Sequence, residues 1–465
     1  MSSNMNTHIE RLAGWSAELD SAQLPEDVCR AATRAIVDTT GVLLAGAGRP
    51  LSRNVARMVA DECLQGDATM FAGGASRRSA GAALANGVAA HLLDFDDTSY
   101  DGIQHASCVV LPAVLACAEE ADASASDLLA AFVVGSEVSY ALGRALTDIF
   151  WQGWWTTATL GSIGAAAGAS RAFGLDRATT GHALAIASSL TFGMRTILGT
   201  DANPVGAGMA AQAGVRAALL ARNGAEGNLS TIEHPIGLAA VFNKGKLDAE
   251  KLGELGSRYS LVESGLAFKP YPACSGTQAA SQAVGELMKK AGIRSSDVKS
   301  VTCRVAPLVA ENLRYPNPVN LTQAQFSLPF AVGCLLEYGE FSVRQLRDNV
   351  LHSKELRDAM SKVVMQRVEG IGGAEGAKKY PEAAEIIMEL TDGEVLKHHV
   401  LAAHGMPSDP MADAELRDKF MGCALEAVSA DCATDLYEQL NGLRSSAAVR
   451  QLFSRTRAEL LESAR

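Results

Sequence analysis

The chain has 465 residues, 48% hydrophobic, 20% charged and only 5% aromatic, with a formal net charge of −11. That length exceeds what one simple core holds and predicts two domains, one of which can interrupt the other. The acidic balance, with no cluster of Lys and Arg to offset it, argues against nucleic-acid binding, although a few cations in a cleft can still receive an anionic substrate.

Ala is abundant and Gly numbers 43. Small residues let helices approach closely, so a tightly packed helical body is expected. The nine Cys are scattered without metal-ligand spacing, which predicts reduced thiols in a cytoplasmic protein, Cys274 being the one with a possible second role. The first residues lack the basic and apolar regions of a signal peptide, and apolar stretches such as the one from Leu128 to Val134 are too short to span a bilayer, so no membrane partner is expected.

In chain order, Pro25, Glu26 and Asp27 open a helix on which Val28, Ala32, Ala35, Ile36 and Leu43 recur at helical spacing. Further helices are predicted over 79–94, 109–120, 124–146, 160–173, 180–190 and 207–223, with Ser79 and Ser124 as N-caps and Gly174, Gly224 and Gly227 as closing glycines. After Gly265 the pattern changes. Residues 298–305 alternate and are β-branched, 362–368 is a second strand, and 384–390 with 394–400 reads as a hairpin around Asp392-Gly393. Helices are expected over 276–291 and 327–338, which makes this part a small α+β unit. A Pro/Gly break at 405–410 precedes a helical tail over 412–465, with Glu415, Leu416, Phe420 and Leu425 on candidate faces. Such a tail cannot bury itself alone and should return to the first helices. The expected organisation is a helical domain over 1–265 and 404–465, interrupted by an α+β domain over 266–403.

The residues with chemical potential cluster after the fourth predicted helix. His91, Asp94 and Thr98 share one face if that helix continues. Asp94, Asp96 and Asp97 crowd three carboxylates together, which raises the pKa of at least one, and His105 follows as the natural general acid or base. Taken alone, the acids could equally be a cap, a solvated turn or a Mg²⁺ ligand set, and the His a structural one.

The stretch Ala85-Asn-Gly-Val-Ala-Ala-His-Leu-Leu-Asp-Phe-Asp-Asp-Thr98, followed by His105-Ala-Ser107 and Leu111-Pro-Ala-Val-Leu-Ala116, resembles the signature of the MmgE/PrpD family. Supporting blocks are Gly135-Ser-Glu137 with Arg144, Gly164-Ala-Ala-Ala-Gly168, Ala207-Gly-Met-Ala-Ala211, Phe268-Lys-Pro-Tyr-Pro-Ala-Cys274 and Gly405-Met-Pro-Ser-Asp-Pro410 ahead of Lys419-Phe420. The resemblance implies a mainly α fold, a large helical domain interrupted by a smaller α+β lid, homodimers, and an active site in the cleft that needs no metal or organic cofactor. It also implies that Asp94 and Thr98 line the cleft and that His105 is a substrate ligand or proton carrier. Lys269, on backbone stiffened by Pro270 and Pro272, would enter from the lid. Cys274 stands where some members carry a His and others a Cys, and Gln278 where many have a His.

The chain departs from the family at three places. Trp155 stands where a His is usual, Asn203 where a Lys is usual, and Phe330 near a Tyr of the decarboxylase branch. The losses remove a titrating group and a cation and add an indole, which predicts a smaller, less charged or partly apolar substrate. Arg195 is a candidate replacement cation, or an exposed helix-end residue. The expected function is a lyase, dehydratase- or decarboxylase-like, acting on a small di- or tricarboxylate by proton transfer next to a carboxylate. Catalytic roles fall to Asp94, His105 and Lys269, and substrate-binding roles to Thr98, Trp155, Asn203, Cys274 and Gln278. An epimerase, and a non-catalytic ligand-binding paralogue, are the alternatives.

Overall fold

Ala- and Gly-rich runs at helical spacing build most of the chain, and the fold is mainly α. The structure is a computed structural model that describes residues 7–371, 380–445 and 447–463. The central helices are Glu26–Ala47, Ser79–His91, Ser107–Glu120, Ala125–Ala145, Gly161–Ala172 and Ala202–Arg222, packed against one another. Their closeness depends on missing side chains. A β-carbon at Gly87 would lie 2.7 Å from the Cα of Gly208, and one at Gly135 would lie 2.8 Å from the carbonyl oxygen of Gly164. Neither clash involves a movable side-chain tip, so larger residues there would force the backbones apart.

Local signals acted mostly as expected. Pro25 precedes the helix Glu26–Ala47, whose first turn carries Glu26 and Asp27, and Val28, Ala32, Ala35, Ile36 and Leu43 are all buried. Ser124 caps Ala125–Ala145 by accepting from the Asp127 N–H, and the Asp127 side chain returns the favour. Ser79 does not cap. It is the first residue of Ser79–His91, and its own N–H donates to the Glu120 carboxylate at 3.0 Å. Gly174 and Gly224 take left-handed conformations after their helices. Gly227 does not, and instead permits close approach to Ala185 and Ile186. The helix Ala125–Ala145 is, against expectation, long and apolar enough to cross a membrane, but 89% of its apolar window is buried inside the protein.

The second part centres on a four-stranded sheet. Val298–Val305 lies between Val363–Arg367, which is parallel to it, and Ala384–Leu390, which is antiparallel; Val395–Val400 completes the hairpin on the outer edge. Gly393, at φ +94°, closes that hairpin. Helices Gln278–Ala291 and Leu328–Tyr338 cover the sheet, and Val301, Cys303, Ile386, Met388 and Phe330 sit in the core between them.

The C-terminal helices Asp413–Ala424 and Ala430–Asn441 pack back on Glu26–Ala47. Phe420 inserts against Gly41, and Leu416 is buried beside it, whereas Glu415 and Leu425 are exposed. Truncating a Phe buried in this way costs about 3–5 kcal/mol, so the tail is held by its core contacts.

Candidate active site

The helix Ser79–His91 stops earlier than its pattern predicts. Three residues on, Asp94 takes a left-handed conformation at φ +44°, which short acidic side chains tolerate. Asp94, Thr98 and His91 therefore do not share a helical face. They are brought together by an irregular loop over 92–106. Ser99 and Gln104 close the loop by exchanging backbone hydrogen bonds of 2.9 Å, and the Gln104 amide donates to the Asp101 carbonyl at 2.7 Å. Ile103, a β-branched residue at φ +53°, is strained and held by this network.

The loop is not a solvated turn: His91, Asp94, Asp96, Asp97 and Thr98 are all buried. Lys269 reaches in from the other side and donates to the Asp94 carboxylate at 2.5 Å and to the Asp94 carbonyl at 2.7 Å. Burial works against its charge, but Asp94 and Asp96 overcome this and raise its pKa, so it is a permanent cation. His91 Nδ1 lies 3.0 Å from Asp96. Burial opposes the imidazolium, yet Asp96 raises its pKa, while the Asp96 carboxyl, against its own burial, is held far below the usual range by His91 and His105. Asp97 goes the opposite way: burial first, then the nearby Asp38 carboxylate, push it well up. Crowding alone therefore does not decide the acids' behaviour, because each has a different partner.

His105 carries the clearest chemical information. Its Nδ1 lies 2.8 Å from the Asp97 carbonyl oxygen, which can only accept, so Nδ1 bears the proton and Nε2 is the lone-pair nitrogen. Nε2 has no hydrogen-bond partner among the described residues, and the side chain keeps 17% of its surface. Burial, then the Lys269 ammonium, pull its pKa down to about 4. The His105 backbone N–H donates to Thr157 Oγ1 at 3.0 Å, which anchors the main chain that carries the ring. At neutral pH His105 is a preoriented base beside a fixed cation.

The second wall comes from the sheet part. Thr98 and Ala267 exchange backbone hydrogen bonds of 3.0 and 2.9 Å, and Thr98 Oγ1 lies 2.9 Å from Ser275 Oγ. Gln325 donates to the Leu92 carbonyl at 2.9 Å. The Cys274 thiol is pushed up by burial, then by Asp94, and is not a thiolate. Gln278 lines the cavity, but its amide is committed to holding the turn: it donates to the Tyr271 and Ala273 carbonyls and accepts from the Tyr271 N–H.

Of the departures, Trp155 is buried with its ring 5.4 Å from His91 and against Gly206. Asn203, one turn before Gly206, is buried with its Oδ1 unpartnered. Phe330 is packed edge-on against Phe341 in the sheet core. Arg195 is half-buried rather than exposed, lying 4.0 Å over the Phe150 ring and donating to Asn312 at 2.9 Å.

Three partners escaped sequence reasoning. Glu382, just before the strand Ala384–Leu390, accepts from the Tyr100 hydroxyl at 2.5 Å, and only the chain's return to the cleft places it there. Lys419, in Asp413–Ala424, is buried behind the loop, 2.7 Å from Asp38 and 2.8 Å from the Phe95 carbonyl. Asp38 did leave a signal, as a lone acid in the apolar run of Glu26–Ala47. Candidate ligand atoms of His91, Asp94, Asp96 and His105 lie within 4.8 Å of one another, close enough for a cation. A metal would have to displace the Lys269 ammonium from Asp94, so the charge it would bring is already supplied by the chain.

Comparison with known proteins places the chain in a family. Residues 10–250 match the MmgE/PrpD N-terminal domain and residues 271–441 the MmgE/PrpD C-terminal domain, so the chain belongs to the MmgE/PrpD family. Within it, the chain is 28% identical to cis-aconitate decarboxylase of Homo sapiens over 389 residues, covering 78% of this chain and 76% of that one. It is 26% identical to cis-aconitate decarboxylase of Mus musculus, covering 95% and 92%. It is 25% identical to the cis-aconitate decarboxylase-like protein oryM of Aspergillus oryzae (strain ATCC 42149 / RIB 40), covering 97% of each.

Proposed function

We propose that the chain is a cofactor-independent lyase that acts on a small di- or tricarboxylate by proton transfer at carbon next to a carboxylate. The observation that carries this reading is the neutral His105, its Nε2 unpartnered, beside the Lys269 ammonium. The cation and the Thr98 and Ser275 hydroxyls hold carboxylate oxygens, and Asp94 aligns the cation. His105 Nε2 then takes or returns the proton at the adjacent carbon. Trp155 and Asn203 shape the remainder of the pocket, with Cys274 beside them as a neutral thiol. The cavity beside Lys269 is narrow, with room for little beyond a water, so a substrate enters when the sheet part moves as a lid. Between the leaving groups, relatives named for cis-aconitate decarboxylation favour CO₂, while a neutral base suits C–H abstraction, the opening step of water loss.

Incubating the protein with cis-aconitate, citrate and malate in D₂O and following the mixture by proton NMR tests the reading. A lyase yields an unsaturated or decarboxylated product. Deuterium in recovered substrate with no net elimination identifies an epimerase. A ligand that raises the melting temperature with no chemistry identifies a binding paralogue.

A further inference from the structure

Water loss needs two proton carriers, a base for the C–H and an acid for the departing hydroxyl, whereas loss of CO₂ needs one, an acid for the carbon left behind. We propose that Glu382, in the cavity it shares with Lys269, is the general acid of the reaction; this rests on the lyase reading above.

The geometry supports the assignment. Tyr100, Lys269, Ser275, Gln278, Glu382 and His404 line one narrow cavity. Tyr100 donates its hydroxyl proton to Glu382 Oε2 at 2.5 Å, which leaves Oε1 as the oxygen that can hold the transferable proton. Oε1 has no hydrogen-bond partner among the described residues. His105 lies on the loop after Ser79–His91, and Glu382 comes from just before Ala384–Leu390, held to the same loop through Tyr100. Lys269 lies between them in the electrostatic sense, because its charge acts on both groups.

The surroundings set each carrier in its working form. Burial pushes the Glu382 carboxyl up to about 7, and the nearby Asp94 carboxylate adds to this; the Tyr100 hydrogen bond and Lys269 pull the other way. Cys274 stays a neutral thiol beside the site, and His404 borders the cavity between Asp409 and Glu415. Between about pH 4 and about 7, His105 is therefore neutral while Glu382 is protonated. Two groups driven apart in this way divide into base and acid.

The chemistry balances in either branch. In water loss, His105 Nε2 takes the proton from carbon, the C–H electron pair becomes the C=C bond, the C–O bond breaks, and the hydroxyl leaves as water with the Glu382 proton. In decarboxylation, the C–C bond breaks, CO₂ departs, and the electron pair left on carbon takes the Glu382 proton. Solvent then returns a proton to Glu382 in both branches and takes one from His105 after water loss.

The test compares wild type with E382Q, E382D, Y100F and H105Q on cis-aconitate, citrate and malate, with kcat, KM and full pH profiles. E382Q retains an acceptor for Tyr100, so the fold is preserved. It should lose about 10²–10⁴-fold in kcat with KM changed only a few-fold, and E382D should recover part of the loss. The wild-type profile of kcat/KM should fall at its alkaline side near about 7, and the residual activity of E382Q should lack that limb. Y100F removes a hydrogen bond that lowers the Glu382 pKa, so it should move the limb to higher pH, a shift that a merely structural role would not produce. Full turnover by E382Q, or an alkaline limb unmoved in E382Q and Y100F, with H105Q inactive, overturns the assignment and leaves the lyase reading in place. Proton exchange without loss of water or CO₂, at a rate E382Q leaves untouched, overturns both.

Discussion

The two walls of the cleft are built on different principles. The helical wall carries His91 at the end of its helix and Asp94, Asp96, Asp97 and His105 on the irregular loop that follows, nearly all buried. The sheet wall carries one cation, Lys269, with the Ser275 hydroxyl, the Cys274 thiol and the Glu382 carboxyl. Buried charges without partners are expensive, so each wall is electrostatically incomplete without the other. Behind the loop, Lys419 does for Asp38 and Phe95 what Lys269 does for Asp94 in front. The front pair faces the chemistry and the rear pair holds the loop.

Five substitutions, one of them used in combination, break or sharpen that contrast. The largest effect is expected from Lys269→Met. It strands the buried Asp94 carboxylate and should lower stability by about 3–5 kcal/mol in denaturant melts while abolishing turnover. Pairing it with Asp94→Asn should restore much of the stability and none of the activity; recovery of turnover would show that Lys269 only neutralises Asp94. Lys419→Met breaks the rear pair and should be about as destabilising, about 3–5 kcal/mol, yet keep turnover within tenfold at a temperature where it is folded. A loss of activity equal to that of Lys269→Met would erase the distinction between front and rear.

His105→Gln should lower kcat by about 10²–10⁴-fold with a smaller change in stability. Its pH dependence has a definite sign. The folded-state pKa is about 4 against 6.5 for an unperturbed His, so between those values the unfolded chain binds the extra proton. His105 therefore makes wild type lose stability as the pH falls from 6.5 towards about 4. The variant should show a shallower slope of unfolding free energy across that window, and an unchanged slope would contradict the burial of a neutral imidazole. The smallest effect is expected for Gln278→Leu, which leaves the Tyr271 and Ala273 backbone groups unpaired. It should cost about 1–3 kcal/mol and raise KM more than it lowers kcat, because the amide positions the turn that carries Lys269.

Much of the helical body was legible because its signals are local. Pro25 with its following acids, the Ser124 capping box and the Asp392-Gly393 turn each depend on a few adjacent residues. The end of Ser79–His91 was not legible. The apolar pattern runs on through Leu92, Leu93 and Phe95, and only the pull of Lys269 and the Thr98–Ala267 pairing shows why the chain leaves the helix at Asp94. Ser79 looked like a cap by residue type, but Glu120, distant in sequence, satisfies its N–H. Gln278 looked like a ligand by position, while its amide is spent on nearby backbone.

By itself the sequence determined a mainly α chain of the MmgE/PrpD family and pointed to the segment from Asp94 to His105 as the candidate site. Spacing, caps and the family signature are carried by residues close together in the chain. Tertiary structure decided the surroundings of each group: partners and burial push Asp96 down and Asp97 and Glu382 up, leave Nε2 of His105 without a partner among the described residues, and set Glu382 against Tyr100. Those depend on burial, on the folded path of the loop, and on partners as far away in the chain as Lys269 and Glu382, and no local pattern encodes a charge's distance from Lys269.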